Sequence, residues 1–115
     1  MKGSRLILFA MVVALAGCSR APHVTITNRS TNVLANVVVT GSGFTNRIDS
    51  IAVGAETKFT VHFRGESGIR ITFDAAGQHI DSGENGYFEG SGGYMVAVTV
   101  EPNLKILVSS NLRNY

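Results

Sequence analysis

Apolar and polar residues alternate with a period of two through most of this chain, which commits the backbone to strands with one buried face. Phe59, Val61 and Phe63 alternate with Lys58, Thr60, His62 and Arg64, and Ile69, Ile71 and Phe73 with Arg70, Thr72 and Asp74. Tyr94, Val96, Val98 and Val100 alternate with Met95, Ala97 and Thr99, and Leu104, Ile106 and Val108 with Lys105, Leu107 and Ser109. Weaker runs lie at Val24 and Ile26, at Val37 and Val39 within residues 33–40, and over residues 44–51. No helical period competes with them. Asn28-Arg29-Ser30-Thr31-Asn32, Gly41-Ser42-Gly43, Val53-Gly54-Ala55-Glu56, Arg64-Gly65-Glu66-Ser67-Gly68, Ala75-Ala76-Gly77-Gln78 and Glu101-Pro102-Asn103 are turn signals between the runs. The expectation is an all-β, antiparallel sandwich of about seven strands, immunoglobulin-like or transthyretin-like. It is one domain over residues 24–110, followed by a polar tail at 111–115.

The N-terminus obeys different rules. Lys2 and Arg5 precede eleven consecutive apolar residues, 6–16. A membrane-spanning helix needs about 20 such residues, whereas this length and these flanks suit the hydrophobic region of a secretory leader. Removal of residues 1–17 takes Lys2 and Arg5 with it. Eight basic and eight acidic side chains remain, a formal net charge of zero. The basic pI therefore comes from the leader, and the scattered Lys and Arg residues form no phosphate-tracking stripe, so nucleic acid is not an expected partner.

The apolar run ends in Leu15-Ala16-Gly17-Cys18, and Cys18 is the sole cysteine. This tetrapeptide resembles the lipobox of bacterial lipoproteins, and the chain as a whole resembles small single-domain members of that class. The resemblance implies cleavage between Gly17 and Cys18, a diacylglyceryl group on the Cys18 sulfur, and acylation (palmitate or a similar chain) of the new amine. It explains how an exported chain avoids a reactive unpaired thiol in an oxidising compartment. Ser19 in the following position implies sorting to the outer membrane of the bacterial envelope, on its periplasmic leaflet. Only residues 19–23 separate the lipid from the first strand, roughly 17 Å at full extension.

The mature chain offers no recognisable catalytic constellation, and no cofactor beyond the covalent lipid is expected. His23 lies in the tether (18–23), His62 on the polar side of a strand and His79 beside a turn, too widely spaced for a local zinc signature. Asp81-Ser82-Gly83-Glu84-Asn85-Gly86 matches a calcium loop at its first, fifth and sixth positions but carries glycine where the third and twelfth ligands belong, so no metal site is expected. Asn28-Arg29-Ser30 has the form of a glycosylation acceptor and is read as a turn. Tyr94 is in phase with core positions and takes a structural role resembling a tyrosine corner. The most unusual segment is 81–93, where five glycines surround Tyr87, Phe88 and Glu89. It is read as a connecting loop in which Tyr87 or Phe88 plugs the core, or as a partner-contact loop. The composite expectation is a non-catalytic binding or structural component of the envelope whose protein partner is not specified. The alternatives are an accessory lipoprotein of a secretion or assembly machine, and a periplasmic hydrolase inhibitor acting through 81–93.

Overall fold

Eight strands follow one another in the computed structural model, which describes residues 22–62, 64–89 and 94–112. They are β1 (His23–Asn28), β2 (Leu34–Gly41), β3 (Phe44–Ile51), β4 (Glu56–Thr60), β5 (Glu66–Ala75), β6 (Gln78–Glu89), β7 (Tyr94–Val100) and β8 (Ile106–Leu112). No helix occurs among the described residues. The expected leader at 1–17 and the expected cleavage and acylation positions, Gly17 and Cys18, lie outside them.

The strands form two four-stranded sheets, ordered β4-β1-β7-β8 and β3-β2-β5-β6. Neighbours are antiparallel except β1 and β7, which run parallel with Val24 opposite Val96 and Ile26 opposite Val98. An immunoglobulin sandwich keeps its first two strands in one sheet. Here β1 and β2 belong to opposite sheets, so the order is that of the transthyretin-like alternative. The alternation in the sequence fills the space between the sheets. Val24 and Ile26 of β1, Val96, Val98 and Val100 of β7, Val37 and Val39 of β2, and Ile69, Ile71 and Phe73 of β5 are all buried. Tyr94 is half-buried and packs against this core, in the phase its sequence position implied.

The structure corrects four sequence expectations. The strand carrying Phe59 ends at Thr60, so Val61, although buried, lies outside it. The expected tail at 111–115 is β-structure through Leu112, since Met95 pairs with Asn111 and Tyr94 with Leu112. The first strand begins at His23, which was assigned to the tether.

The fourth correction is the largest. The 81–93 loop is an extended strand as far as Glu89, with Phe88 opposite Ser67 and Glu89 opposite Glu66. Tyr87, Phe88 and Glu89 are thus strand residues by backbone, and their side chains lie outside the described set. β6 accommodates two extra residues, because its register against β5 slips between Arg70 and Thr72 and again between Ser67 and Ile69. Gly83 and Gly86 supply the positive φ angles, 67° and 76°, that such bulges require. β6 is an edge strand, and bulges that twist an edge discourage pairing with other chains.

Candidate functional site

The polar side chains concentrate on the outer face of the β3-β2-β5-β6 sheet. On β5, Gly68, Arg70, Thr72 and Asp74 alternate with the buried Ile69, Ile71 and Phe73 and therefore point outward. The hairpin that joins β5 to β6 turns through Ala76 and Gly77, both at positive φ (52° and 71°), as a two-residue type I′ connection needs. This tight turn sets Asp74 opposite His79 and Thr72 opposite Asp81.

Two charged contacts result. Arg70 Nε donates to Asp81 Oδ1 at 3.0 Å, and its Nη2 donates to the other carboxylate oxygen, a two-pronged geometry. The Arg70 hydrogen bonds, assisted by the Gly83 amide at 2.8 Å, pull the Asp81 carboxyl down to about 2. The same contact raises the Arg70 guanidinium above its ordinary value. Nearby, Asp74 Oδ1 meets His79 Nδ1 at 2.7 Å, and Asn36 Nδ2 donates to Asp74 Oδ2 at 3.0 Å. These two hydrogen bonds, His79 first, hold the Asp74 carboxyl below the usual carboxylate range.

The sign for Asp81 is fixed by the depressed value. Its ionised, bridged form favours the folded state above the ordinary carboxylate range, and the contribution disappears as pH falls through about 2. A carboxyl-carbon NMR titration is expected to place the Asp81 midpoint near 2 in the wild type and to move it up toward the ordinary Asp value in Arg70→Gln. An unmoved midpoint would show that Arg70 does not set it.

Between this bridge and the start of β5 an open groove of about 560 Å³ crosses the sheet. Thr40, Gly41 and Ser42 form one wall, Glu84 and Gly86 the other, and Gly68 with Arg70 the floor. The Glu84 side chain lies across Gly68, where a Cβ would come within 2.6 Å of the Glu84 Cγ. Ligand pockets are usually concave and largely apolar; this one is wide and polar. The Ser42 hydroxyl donates to the Arg64 carbonyl (3.0 Å) and the Ser67 hydroxyl to the Gly68 carbonyl (2.6 Å), so both have backbone acceptors. Ser82 Oγ accepts the Ile71 amide at 2.9 Å and bridges the ladder where β6 bulges. In the segment compared with a calcium loop, Asp81 faces Arg70, while Ser82 and Asn85 bond backbone; among the described residues no three His, Cys, Asp or Glu are grouped so that they could hold a metal ion.

The histidines do not converge. His23 Nδ1 lies 3.2 Å from Thr60 Oγ1 on the neighbouring strand β4, His62 is exposed just beyond β4, and His79 pairs with Asp74.

The residue that sequence reasoning undervalued is Asn28. Read as part of a turn, it ends β1 and is completely buried. Its Oδ1 accepts the Ser30 amide (3.0 Å) and hydroxyl (2.7 Å), while Nδ2 faces the carbonyls of Asn32 (2.8 Å), Ile51 (3.1 Å) and Ala52 (3.2 Å). The amide of Ser30 reaching back two residues is an Asx turn, the signal that Asn-x-Ser offered in the sequence. Burial of Asn28 also closes it to modification in the folded chain. Around it, the 29–33 and 52–55 loops are held rigidly and present Val33 and Val53, each 53% exposed.

The ends of the sandwich therefore differ. β1 enters at one end, where the Val61 amide bonds the Pro22 carbonyl at 3.0 Å. It leaves at the other, beneath Val33 and Val53. A run of six residues sets these ends roughly 20 Å apart.

No family model matches the sequence, and no curated protein does. An NMR structure of a protein from Eubacterium rectale is similar in fold, with a TM-score of 0.55 and 16% identity, covering 81% of this chain and 90% of that one. At that identity the likeness speaks to the fold alone.

Proposed function

We propose that this chain is a lipid-anchored protein of the bacterial outer membrane whose sandwich is a non-catalytic binding or structural module held at the bilayer. The observation that carries the reading is the position of β1. It is an interior strand, flanked by β4 and β7, and its first residue lies five positions after Cys18. An anchor on Cys18 would thus be joined almost directly to the most hydrogen-bonded part of a sheet, and the loops of the opposite end would face away from the membrane.

The chemistry is that of the lipobox. The Cys18 thiol gives up its proton and displaces the headgroup phosphate of a phospholipid, forming a thioether to the diacylglyceryl carbon. Water then cleaves the Gly17–Cys18 peptide, and the freed amine takes an acyl chain from a second lipid. Each buried CH₂ adds about 0.8 kcal/mol and a single fourteen-carbon chain holds only marginally, so two or three chains give a stable attachment without a membrane span. No helix among the described residues is long and apolar enough to cross a membrane.

The inhibitor reading needed an exposed loop over 81–93. Residues 78–89 form β6 along β5, so that reading would have to work through an edge strand over 81–89 and not through a loop there. A partner is better sought at the rigid loops around Asn28.

Mass spectrometry of the mature N-terminus tests the anchor. The expected product begins at Cys18 and carries the glyceryl-linked and amide-linked acyl masses. In Cys18→Ala the protein is expected to leave the membrane fraction almost entirely. A protein that keeps residues 1–17, or begins with an unmodified thiol, overturns the reading.

A further inference from the structure

We propose that the end of the sandwich where β1 begins is itself a membrane-contact surface that seats on the phospholipid headgroups, so that the domain stands end-on to the bilayer. This rests on the Cys18 anchor. It goes further in claiming that protein side chains, and not lipid chains alone, touch the membrane.

The tether is short. The Pro22 carbonyl is already hydrogen-bonded to Val61, so only Ser19, Arg20 and Ala21 lie between Cys18 and the folded domain. From Cys18 to Pro22 the chain reaches at most about 14 Å, less than the thickness of two packed sheets with their side chains. Whatever lies at this end is confined to the headgroup zone.

The register places the start of β7 beside His23, and its Met95 is 44% exposed, an apolar and flexible side chain at the edge of the end surface. Tyr94 precedes it, half-buried with its ring against the core. His62 and Arg64 are exposed in the connection from β4 to β5. Tyrosine at the apolar boundary, with cation-capable groups reaching phosphates, is the side-chain mixture of a membrane interface. Glu66 and, by register, Glu89 stand at the same end and work against it, while Arg20 of the tether adds a further positive charge.

The Arg64 amide donates to the Ser42 carbonyl (2.9 Å), the Ser42 hydroxyl returns to the Arg64 carbonyl (3.0 Å), and the Ser42 amide donates to Ser67 Oγ (2.8 Å). These bonds join the β2–β3 hairpin to the β4–β5 connection, so the contact surface is fixed before it meets lipid.

The test uses the acylated protein in vesicles of phosphatidylethanolamine and phosphatidylglycerol. Acylation consumes the only native thiol, so His62→Cys and Val53→Cys each offer one site for a nitroxide. Collision with lipid-soluble oxygen is compared with collision with a water-soluble nickel chelate. The label at position 62 is expected to favour oxygen severalfold over the label at 53, and Arg64→Glu combined with Met95→Ser is expected to erase most of that difference. Two labels equally exposed to the chelate, on protein whose acyl mass is confirmed, overturn the seating and leave the anchor intact. Absence of the acyl mass overturns the anchor. Protection of position 62 that depends on an added protein, and not on lipid, assigns this end to a protein partner and overturns the proposal.

Discussion

Asn28→Asp is expected to lower the stability of the sandwich by about 3 kcal/mol or more, the scale reached when several buried polar groups lose their partners at once. The Asn28 side chain has two N–H hydrogens and faces three carbonyl oxygens, all within 3.2 Å, and its own oxygen accepts twice from Ser30. Aspartate keeps the shape and the acceptor but replaces the donor with a second oxygen, which faces three others. Ionised, it is a fully buried carboxylate with no cation among its hydrogen-bond partners; protonated, it can satisfy one carbonyl. Asn28→Ala removes the repulsion but leaves the same carbonyls unserved, so it is expected to be damaging to a lesser degree. Because the network ties the β1–β2 connection to the β3–β4 turn, through Asn28 and the Gly54 amide on its carbonyl (2.9 Å), both loops should loosen together. Urea unfolding followed by circular dichroism measures the loss, with a reduced midpoint and an unchanged slope marking a folded-state effect. A loss below about 1 kcal/mol for both variants would show that water replaces the side chain without penalty.

The buried strands were legible because they keep phase. Val24 with Ile26, Ile69 through Phe73, and Val96 through Val100 alternate without interruption, and each occupies an interior position of its sheet. Legibility failed where bulges reset the phase. Leu34 is fully buried yet lies three residues before Val37, an interval that period-two reading places on opposite faces. Asn36, at φ 51°, absorbs the extra residue and turns its amide to Asp74. β6 failed for the same reason twice over. Its glycines at 83 and 86 look like loop composition, and an edge strand lacks the apolar alternation that would have countered that impression. The groove was invisible for a related reason: it lies where Glu84 packs across Gly68 beside a register slip, and neither has a local signature. Asn28 was the opposite case, since its Asx-turn pattern was readable but gave no measure of burial. The proposed anchor rests entirely on local sequence, because a lipobox would be read by enzymes on an extended chain and owes nothing to the fold.

Phe73→Ala is expected to cost about 3–5 kcal/mol, the range for removing a large aromatic from a core that relaxes only in part. Phe73 is fully buried on β5, between β2 and β6 in the middle of its sheet, in one run with Ile69 and Ile71. Its neighbours are β-branched and held by strand pairing on both sides, so they cannot collapse into the space it leaves. Domains of this size have only about 5–15 kcal/mol in total, and the sole cysteine leaves no intrachain disulfide to compensate. Phe59 provides the contrast. It is half-buried on β4, an edge strand of five residues, and packs on the periphery of the same core. Phe59→Ala should cost distinctly less, because solvent and the free edge accommodate the change. Equilibrium unfolding of both variants decides the matter, and equal losses would mean that the core is not centred on β5. The outcome bears on the proposed anchor as well. If Cys18 is acylated as proposed, a destabilised Phe73→Ala chain should still be retained at the membrane, because a lipobox is processed without reference to the sandwich. Its folded domain should nevertheless be cleared by protease faster than that of Phe59→Ala, since the fraction transiently open rises about tenfold for each 1.4 kcal/mol lost. Membrane fractionation combined with limited proteolysis would then show an intact anchor on a failing domain, which separates what the leader specifies from what the alternating strands specify.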